Sequence, residues 1–370
     1  MRTRTDKQKV GAQFVSRHDR WNIDGHKLMY HVDRVYRWLN GKTVYPVYLE
    51  MGVYGGCNHR CVFCAFDYLA YKPELLEVGF AKKFIREAAR RGVKSIMFAG
   101  EGEPLLHPRF SDIVASAGDS GIDLAVTTNG VLLEKRMAER ILPYLEWLRI
   151  SLNAGTASTY AGVHRAATAD FQKVITNIET AVRIKKKNRL VCVIGVQFLL
   201  LAQNYREAPA LARLMRSLGV DYFSLKPYSR HPLSGAGPAQ DISARAMDFV
   251  RQRTSRCETG TFKVILRQDM MQRLSEGKTY DRCLGLPFAA HITAAGDVYP
   301  CSVFLGQKDF IMGNINKQSF KQIWEGRKRR AVMELISARG VSGCRAVCRL
   351  DAVNRYLWEL KHPGPHVNFI

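Results

Sequence analysis

The sequence has no hydrophobic run that approaches the roughly 20 apolar residues needed to cross a bilayer. Its first residues, MRTRTDKQKV, lack the apolar stretch of a secretory signal. It also contains no low-complexity tract and no internal repeat beyond strand–helix units. We therefore expect a globular cytoplasmic protein. In that reducing compartment its nine cysteines are expected to be metal ligands or redox groups rather than disulfides.

Acidic residues are scarce relative to basic ones. The 33 Asp and Glu residues are outnumbered by 56 Lys and Arg, which gives a formal net charge of +23. Such a charge suits nucleic-acid binding, but it also suits a phosphorylated or nucleotide-linked small substrate. The densest basic runs, 185–189 and 327–330, fall at a predicted helix end and inside a predicted amphipathic helix. They contain no interleaved aromatic residues, so nucleic acid is not an expected partner.

Apolar strand patterns alternate with amphipathic helix patterns from about Tyr45 to Pro227. The predicted strands are VYPVYLEMG, KSIMFAG, DLAVTTNG, WLRISLNA, LVCVIGVQFLL and YFSLKP. Four helix patterns long enough for crossovers lie between them, at 78–92, 110–121, 171–187 and 205–219. This alternation predicts an α/β protein whose parallel sheet forms a partial (β/α)6 TIM-like barrel. Functional residues are expected at the carboxyl ends of its strands.

The rest of the chain has a different pattern. The predicted divisions are a basic N-terminal extension at 1–44, the barrel at 45–230, a linker and helix at 231–260, and a small α+β domain at 261–370. The extension contains one predicted helix from about His26 to Leu39. In the last division we predict a strand FKVILR, a hairpin that turns at Gly296-Asp297, and one helix over SFKQIWEGRKRRAVMELI.

Three cysteines crowd the loop after the first predicted strand. The segment CNHRCVFC places Cys57, Cys61 and Cys64 within eight residues. Three thiolates could hold zinc if a fourth ligand such as His59 or His291 completed the tetrahedral shell. They could also hold a cubane iron–sulfur cluster, and one iron would then have no protein ligand and could bind a substrate. The spacing alone leaves both possibilities open.

The C-terminal region contains a second set of cysteines: Cys283, Cys301, Cys344 and Cys348. The first two frame the predicted hairpin in a C-x12-G-x4-C pattern that ends in GDVYPC. Four thiolates would complete the coordination of a cubane cluster, and the same four could hold zinc. Cys192 and Cys257 lie outside both sets and are expected to be buried structural residues.

The three-cysteine loop, with Phe63 before its third cysteine and its place after the first strand, resembles the radical S-adenosylmethionine (SAM) superfamily. The segment Gly100-Glu101-Gly102-Glu103-Pro104 is similar to that family's Gly-Gly-Glu-Pro motif, with Glu101 in place of a glycine. The hairpin and GDVYPC resemble the C-terminal auxiliary-cluster module called SPASM, or its shorter twitch form. The resemblance covers roughly residues 45–360.

This resemblance implies the cofactors. Cys57, Cys61 and Cys64 are expected to hold a [4Fe-4S] cluster whose open iron chelates SAM, which is then cleaved to a 5′-deoxyadenosyl radical. The four C-terminal cysteines are expected to hold one auxiliary [4Fe-4S] cluster, because a complete SPASM module with two clusters uses seven cysteines. An electron donor such as flavodoxin or ferredoxin is implied as a partner.

The resemblance also implies residues that contact SAM. They are Phe63 beside the adenine, the motif residues Gly102, Glu103 and Pro104, and the strand-end residues Asn129, Ser151, Asn153 and Val196. Thr128, Gly195 and Gln197 are neighbouring candidates. Alternation along a strand would direct Ser151 and Asn153 to one face.

Other polar residues are candidates for the substrate side. Lys226 and Tyr228 follow the last barrel strand and are the candidate catalytic residues for proton transfer. Arg230 and His231 are candidates for the pocket wall beside them. Three residues after Cys348 could reach the active site or cap the auxiliary cluster, namely Asp351, Asn354 and Arg355.

The favoured function is hydrogen abstraction from a small polar substrate, a carbohydrate, nucleotide-sugar or aminocyclitol, for oxidation, dehydration or epimerisation. Residues 1–44 leave no room for the winged-helix domain of many peptide-modifying relatives, which favours a small molecule. Modification of a ribosomal peptide or of RNA is the alternative within the same chemistry. A zinc-stabilised nucleic-acid-binding protein is the non-enzymatic alternative, and it leaves GEGEP and the barrel pattern unexplained.

Overall fold

The structure, a computed structural model, describes residues 26–237 and 242–369. Most of the predicted N-terminal extension, 1–25, therefore lies outside the described residues. Helix α1 (Val32–Leu39) follows a short 3-10 turn at Leu28–Tyr30, where one continuous helix was predicted. No helix in the described part of the chain is long and apolar enough to span a membrane.

One ten-stranded sheet runs through the protein. Its strands are β1 (Tyr48–Met51), β2 (Ser95–Phe98), β3 (Asp123–Thr128), β4 (Leu145–Ser151), β5 (Val193–Leu200), β6 (Tyr222–Pro227), β7 (Lys263–Leu266), β8 (Ala289–Ile292), β9 (Asp297–Tyr299) and β10 (Gly313–Asn314). Strands β1 to β7 lie side by side in chain order and pair in parallel. Each of the six predicted strands overlaps one of β1 to β6, so the predicted partial barrel is confirmed.

Helices connect these strands. The barrel helices are α2 (Val78–Arg90), α3 (Phe110–Asp119), α4 (Lys135–Ile141), α5 (Ala157–His164), α6 (Thr168–Lys187), α7 (Ala208–Leu218) and α8 (Ala244–Ser255). The later helices are α9 (Gln268–Glu276), α10 (Phe320–Trp324), α11 (Arg327–Arg339) and α12 (Asp351–Lys361). The four predicted crossover helices correspond to α2, α3, α6 and α7. Helix α5 was not predicted, because ASTYAGVH has no clear apolar face, although Thr156 caps it by accepting from the Thr159 N–H at 3.2 Å.

The main hydrophobic core lies between the sheet and its helices. In β4, Leu148 and Ile150 are fully buried in this core, whereas Arg149 and Ser151 alternate with them and are only half-buried. The same alternation in β1 buries Leu49 and directs Glu50 to the other face. The face of the sheet opposite the core therefore carries polar and charged side chains, and we call the space that they line the barrel interior.

The C-terminal region extends the barrel sheet at both edges. Strand β7, the predicted FKVILR strand, pairs in parallel with β6, and β8 pairs in parallel with β1. Strands β8 and β9 form the predicted hairpin, in which Gly296 has φ +84°. These pairings satisfy main-chain groups that an open parallel sheet would leave exposed at its edges.

The prediction of one helix over residues 319–336 was wrong. The chain breaks at Gly326 into α10 and α11, and a Cβ on Gly326 would lie 2.5 Å from the Gln322 carbonyl oxygen. Arg329 is 8% exposed and stacks 4.1 Å from the ring of Trp324, so the basic run is partly packed and is not simply a solvated helix face.

Candidate active site and cluster loops

The three cysteines predicted to bind a cluster lie on the loop between β1 and α2. Cys57, Cys61 and Cys64 are all half-buried, and none forms a disulfide. The His59 N–H donates to Cys57 Sγ at 3.4 Å, and the Phe66 N–H donates to Cys64 Sγ at 3.4 Å. The loop therefore directs polar N–H groups at its sulfur atoms, as suits thiolate ligands.

Burial raises the pKa of the Cys57 thiol to about 12 and also raises the pKa of Cys61 and Cys64. Thiolates at Cys57 and Cys64 would raise the pKa of Cys61 further, because their negative charges lie close to its sulfur. Three neighbouring thiolates thus require a cationic partner to coexist here. The donor set fits an iron–sulfur cluster.

Two other segments fix this loop in position. The Arg60 and Val62 N–H groups donate to the carbonyls of His164 and Val163 at the end of α5, at 3.1 and 3.0 Å. From the other side, the Ser234 hydroxyl donates to the Cys64 carbonyl at 2.8 Å. The start of the predicted linker is therefore packed on the cysteine loop.

A compact group of possible metal ligands, His59, Cys61 and His164, lies beside the loop, with its ligand atoms within 4.8 Å of one another. Protein contacts already engage both rings. His164 Nε2 accepts from the Asn153 N–H at 3.1 Å, and His59 Nε2 lies 3.3 Å from the Tyr160 hydroxyl. His291, the other histidine considered for zinc, instead lies 3.6 Å from Glu101.

The GEGEP segment packs directly on the cysteine loop. A Cβ on Gly102 would lie 2.2 Å from the Tyr54 carbonyl oxygen and 2.3 Å from that of Gly56, so only glycine fits. The Glu103 N–H donates to the same Gly56 carbonyl at 2.9 Å. This close approach places the predicted SAM motif against the predicted cluster loop.

Glu103 joins the second and third strand loops. Its carboxylate accepts from the Thr128 hydroxyl at 2.6 Å, the Asn129 N–H at 2.8 Å and the Leu105 N–H at 3.1 Å. Burial raises the pKa of Glu103 to about 7, and these three hydrogen bonds oppose the rise. Pro104 begins a short 3-10 helix that Glu103 caps. Both carboxylate oxygens thus already have partners within the protein.

Glu101, the departure from the family motif, reaches the C-terminal hairpin. Its carboxylate accepts from the Ala294 N–H at 2.7 Å and lies 3.6 Å from His291 Nε2. It is 8% exposed. A glycine could not make this contact, so in this chain Glu101 ties the motif loop to the β8–β9 hairpin.

Two of the predicted SAM contacts lie beside the cysteine loop. The Phe63 ring meets the His164 ring edge-on at 5.7 Å and packs against the small apolar cluster of Val163, Leu199 and Leu201. The Asn129 side-chain amide donates to Asn58 in the cysteine loop at 2.7 Å. The structure thus brings Phe63 and Asn129 to the cysteine loop.

The other predicted SAM contacts differ in placement. Ser151 pairs in register with Gln197 and shares the inward face of Arg149. Asn153 lies beyond the end of β4 and is 1% exposed. Its side-chain oxygen accepts from the Leu199 N–H at 2.6 Å. The Val196 side chain is fully buried in the core on the opposite face.

The candidate catalytic residues lie near each other at the end of β6. Lys226 is half-buried, and burial followed by neighbouring arginines lowers its pKa well below the usual value. The Tyr228 hydroxyl donates to the Ala236 carbonyl at 3.2 Å. Arg230 is exposed, and His231 is buried with its ring stacked 5.0 Å from that of Tyr68.

A cluster of cationic side chains lies in the barrel interior. Of its members, only Lys226 was predicted as a functional residue from the sequence. Its members are Arg149, Lys226, Arg267, Arg345 and Arg349, and we call them the cationic cluster. The four arginines are close enough to Lys226 to add to the lowering of its pKa by burial. Arg349 lies 3.2 Å from the Glu50 carboxylate, and its side chain is 50% exposed. Alternation with Ser151 could have identified Arg149, but no sequence pattern links Arg345 and Arg349 to the barrel.

The structure brings together the four C-terminal cysteines. Burial and the neighbouring charges of Cys283, Cys348 and Cys344 raise the pKa of Cys301. The Asn354 amide donates to Cys283 Sγ at 3.4 Å, and its oxygen accepts from the Gly285 N–H at 2.7 Å. The set fits a four-thiolate cluster.

Two of the residues considered for capping lie in a separate charged contact. Asp351 is 1% exposed and accepts from the Tyr280 hydroxyl at 2.8 Å and from Arg355 at 3.2 Å. Of the three residues, Asn354 contacts a cysteine directly. Asp351 and Arg355 instead fix the start of α12.

An open parallel βα barrel with three thiols after its first strand and four more beside its hairpin fits a protein that holds two iron–sulfur clusters. Comparison with known families agrees. Residues 51–215 match the Radical SAM superfamily, and residues 283–349 match SPASM, an iron–sulfur cluster-binding domain. The chain belongs to the radical SAM superfamily and carries a C-terminal SPASM domain. Its cofactors are SAM, a [4Fe-4S] cluster and an auxiliary iron–sulfur cluster.

Several known proteins are similar to the chain. An AdoMet-dependent heme synthase of Methanosarcina barkeri is 26% identical over 79% of this chain and 87% of its own length. A GTP 3′,8-cyclase of Chlorobaculum tepidum is 29% identical over 53% of this chain, which spans 58% of the cyclase. The crystal structure of SuiB from Streptococcus suis bound to S-adenosylmethionine aligns with a TM-score of 0.63, at 16% identity, over 90% of this chain and 76% of SuiB. This last likeness establishes the fold alone.

Proposed function

We propose that this radical SAM enzyme abstracts hydrogen from a small anionic substrate in the barrel interior, for oxidation, dehydration or epimerisation. The proposed substrate is a phosphorylated or nucleotide-linked carbohydrate, nucleotide-sugar or aminocyclitol. The observation that carries this proposal is the cationic cluster. Cys57, Cys61 and Cys64 are the proposed ligands of the SAM-binding cluster, and Cys283, Cys301, Cys344 and Cys348 those of one auxiliary [4Fe-4S] cluster.

Protein groups and a bound auxiliary cluster would each offset part of the charge of the cationic cluster. Glu50 neutralises one charge through Arg349. Arg345 and Arg349 adjoin auxiliary cysteines, so they would also offset the charge of a bound cluster. Arg149 and Lys226 belong to barrel strands and not to the auxiliary-cluster segment, and Arg149 donates to the Tyr222 hydroxyl at 3.1 Å. A phosphate or carboxylate beside Lys226 would stabilise its charged form, which burial and then the neighbouring arginines disfavour by lowering its pKa.

The charge of the barrel interior also distinguishes among the candidate substrates. A free aminocyclitol carries ammonium groups that the cationic cluster would repel, so its phosphorylated or nucleotide-linked forms are favoured. The GTP 3′,8-cyclase relative is named for a nucleotide. A tetrapyrrole with carboxylates is a second candidate, because the heme synthase relative aligns over most of its length.

When bound, the cluster and SAM would supply the radical chemistry that removes hydrogen from an unactivated C–H bond. The residues of this chain would bind and orient that bond near the cysteine loop and keep water from it. Lys226 is the proposed binding residue for the anionic group of the substrate, because its ammonium would pair with that group. We propose that Tyr228 fixes the linker over the cysteine loop through its bond to Ala236.

The test measures 5′-deoxyadenosine formed by anaerobically reconstituted enzyme with a panel of compounds. The panel contains sugar nucleotides, sugar phosphates, nucleoside triphosphates, a tetrapyrrole carboxylate and the uncharged counterparts of each. We expect an anionic compound, and not its uncharged counterpart, to stimulate product formation. Lys226→Met should raise KM for that compound by about tenfold, which is about 1.4 kcal/mol.

Lys187→Met, an exposed site at the end of α6, is the matched control and should leave KM unchanged. Equal stimulation by the uncharged counterparts, or an unchanged KM in Lys226→Met, would contradict the proposal. Stimulation by the tetrapyrrole carboxylate alone would select the second candidate.

A further inference from the structure

His164 is fully enclosed beside the cysteine loop, 103 residues from the cysteine that it contacts. Its Nδ1 lies 3.4 Å from Cys61 Sγ. The ring stacks on Tyr160 with centroids 4.4 Å apart and meets Phe63 edge-on. These contacts leave the ring one orientation, with Nδ1 directed at sulfur.

The other ring nitrogen determines where the imidazole proton lies. Nε2 accepts from the main-chain N–H of Asn153 at 3.1 Å, and the Asn153 side-chain amide is a second, longer contact at 3.5 Å. A main-chain N–H can only donate, so Nε2 carries no proton. The proton of the neutral ring is therefore on Nδ1, and Nδ1–H donates to Cys61 Sγ.

Buried hydrogen bonds fix the position of Asn153, and they therefore also fix the position of the N–H that determines the His164 tautomer. Its side-chain oxygen accepts from the Leu199 N–H at 2.6 Å, and its carbonyl accepts from the Asn204 amide at 2.9 Å. Asn204 also donates to the Leu199 carbonyl at 2.9 Å. Movement of the Asn153 N–H away from His164 would break these buried bonds.

We propose that His164, through this Nδ1–H bond to Cys61, sets the reduction potential of the cluster held by the cysteine loop. The proposal rests on the assignment of Cys61 as a cluster ligand. A hydrogen bond to a ligand sulfur stabilises the reduced cluster more than the oxidised one, because reduction adds negative charge to the cluster and its thiolates. His164 is thus a positioning residue that makes this cluster easier to reduce.

The test is an anaerobic redox titration of the loop cluster without SAM, followed by EPR. The loop cluster is identified as the signal that changes when SAM is added afterwards. In His164→Phe the aromatic ring remains but the donor is lost. We expect the ratio of reduced to oxidised cluster at a fixed potential to fall about tenfold, a shift of about 59 mV to more negative potential.

Two variants control for indirect effects. His164→Asn places an amide N–H near the position of Nδ1, so its potential should stay at the wild-type value. His107→Phe removes a ring that is also buried and bonded to main chain, at Leu76 and Arg109, and it should leave the potential unchanged. An unchanged potential in His164→Phe, or an equal shift in His107→Phe, would overturn the proposal.

A second measurement covers the case in which His164→Phe does not fold. Wild-type protein grown with histidine labelled with 15N in the ring alone is examined by pulsed EPR of the reduced loop cluster. We expect a 15N coupling that is strongly reduced in His164→Asn, with any residual coupling equal to that of the nearby His59 ring, as identified by its loss in the double variant His59→Phe/His164→Asn. No coupling in the wild type, or a coupling of unchanged strength in His164→Asn, would overturn the proposal. Loss of the SAM-responsive signal in wild-type protein would instead contradict the cluster assignment itself.

Discussion

Gly102 lies where the motif loop meets the cysteine loop, and two carbonyl oxygens occupy the space that a side chain would need. These carbonyls belong to Tyr54 and Gly56, just before Cys57. Main-chain atoms cannot move aside as a flexible side chain can. A single added methyl group must therefore displace one of the two loops that form the proposed SAM site.

Gly102→Ala should destabilise the protein by about 1–3 kcal/mol through this overlap and should lower the iron content after reconstitution. Gly162→Ala is the matched control, because Gly162 lies in α5 with open space around its Cβ position. That variant should be neutral or more stable by up to about 1 kcal/mol. Chemical denaturation and iron analysis measure both effects, and an equally stable Gly102→Ala variant would contradict the close-packed geometry.

Short-range sequence patterns were enough to predict roles for the cysteines and the motif residues, because those predictions depend on spacing within a few positions. They did not identify His164, since its contact with Cys61 spans 103 residues and depends on how α5 returns to the loop. They also placed Asn153 with Ser151 on one face. The strand ends at Ser151, and beyond that point the alternation no longer determines the direction of a side chain.

Two barrel carboxylates hold two elements of the C-terminal region through main-chain N–H groups. Glu101 accepts from the Ala294 N–H in the β8–β9 hairpin at 2.7 Å. Glu87, in α2, accepts from the Phe320 and Lys321 N–H groups at 2.8 and 3.0 Å, at the start of α10. Each contact fixes a different element to the barrel.

Glu101→Ala should increase amide hydrogen exchange in the β8–β9 hairpin and leave α10 unchanged, because only the hairpin loses its acceptor. Glu87→Ala should do the reverse, so each variant serves as the control for the other. Exchange followed by peptide-level mass spectrometry resolves the two segments. Faster exchange of both elements in both variants would show that the C-terminal region moves as one unit.

Tertiary contacts, which cannot be read from the local sequence pattern, set the helix boundaries of the C-terminal region. The apolar and basic pattern of SFKQIWEGRKRRAVMELI predicts one helix, but the chain breaks at Gly326. The break lets Arg329 return onto Trp324, whose indole N–H donates to the Val44 carbonyl at 2.7 Å. Local helix preference is weaker than such tertiary packing.

At the scale of the whole molecule, a ten-stranded sheet within the described residues is shared by the barrel and the C-terminal region. The loop between Cys344 and Cys348 contributes Arg345, and the residue after Cys348 is Arg349, so the auxiliary-cluster segment supplies two of the cations in the barrel interior. The net charge of +23 is thus in part directed toward the proposed substrate site and is not confined to the outer surface. The sequence showed the size of this charge but not its direction, because direction depends on the long-range return of the chain.

The central claim is that the loop with Cys57, Cys61 and Cys64 holds the cluster that cleaves SAM. The most direct measurement is the yield of 5′-deoxyadenosine from anaerobically reconstituted protein in which all three cysteines are replaced by Ala. Cys192→Ala, a buried cysteine outside both cysteine sets, is the control. We predict that the triple variant loses about four iron atoms per chain and all nucleoside product, whereas Cys192→Ala retains both. Continued formation of 5′-deoxyadenosine by the triple variant would contradict the account.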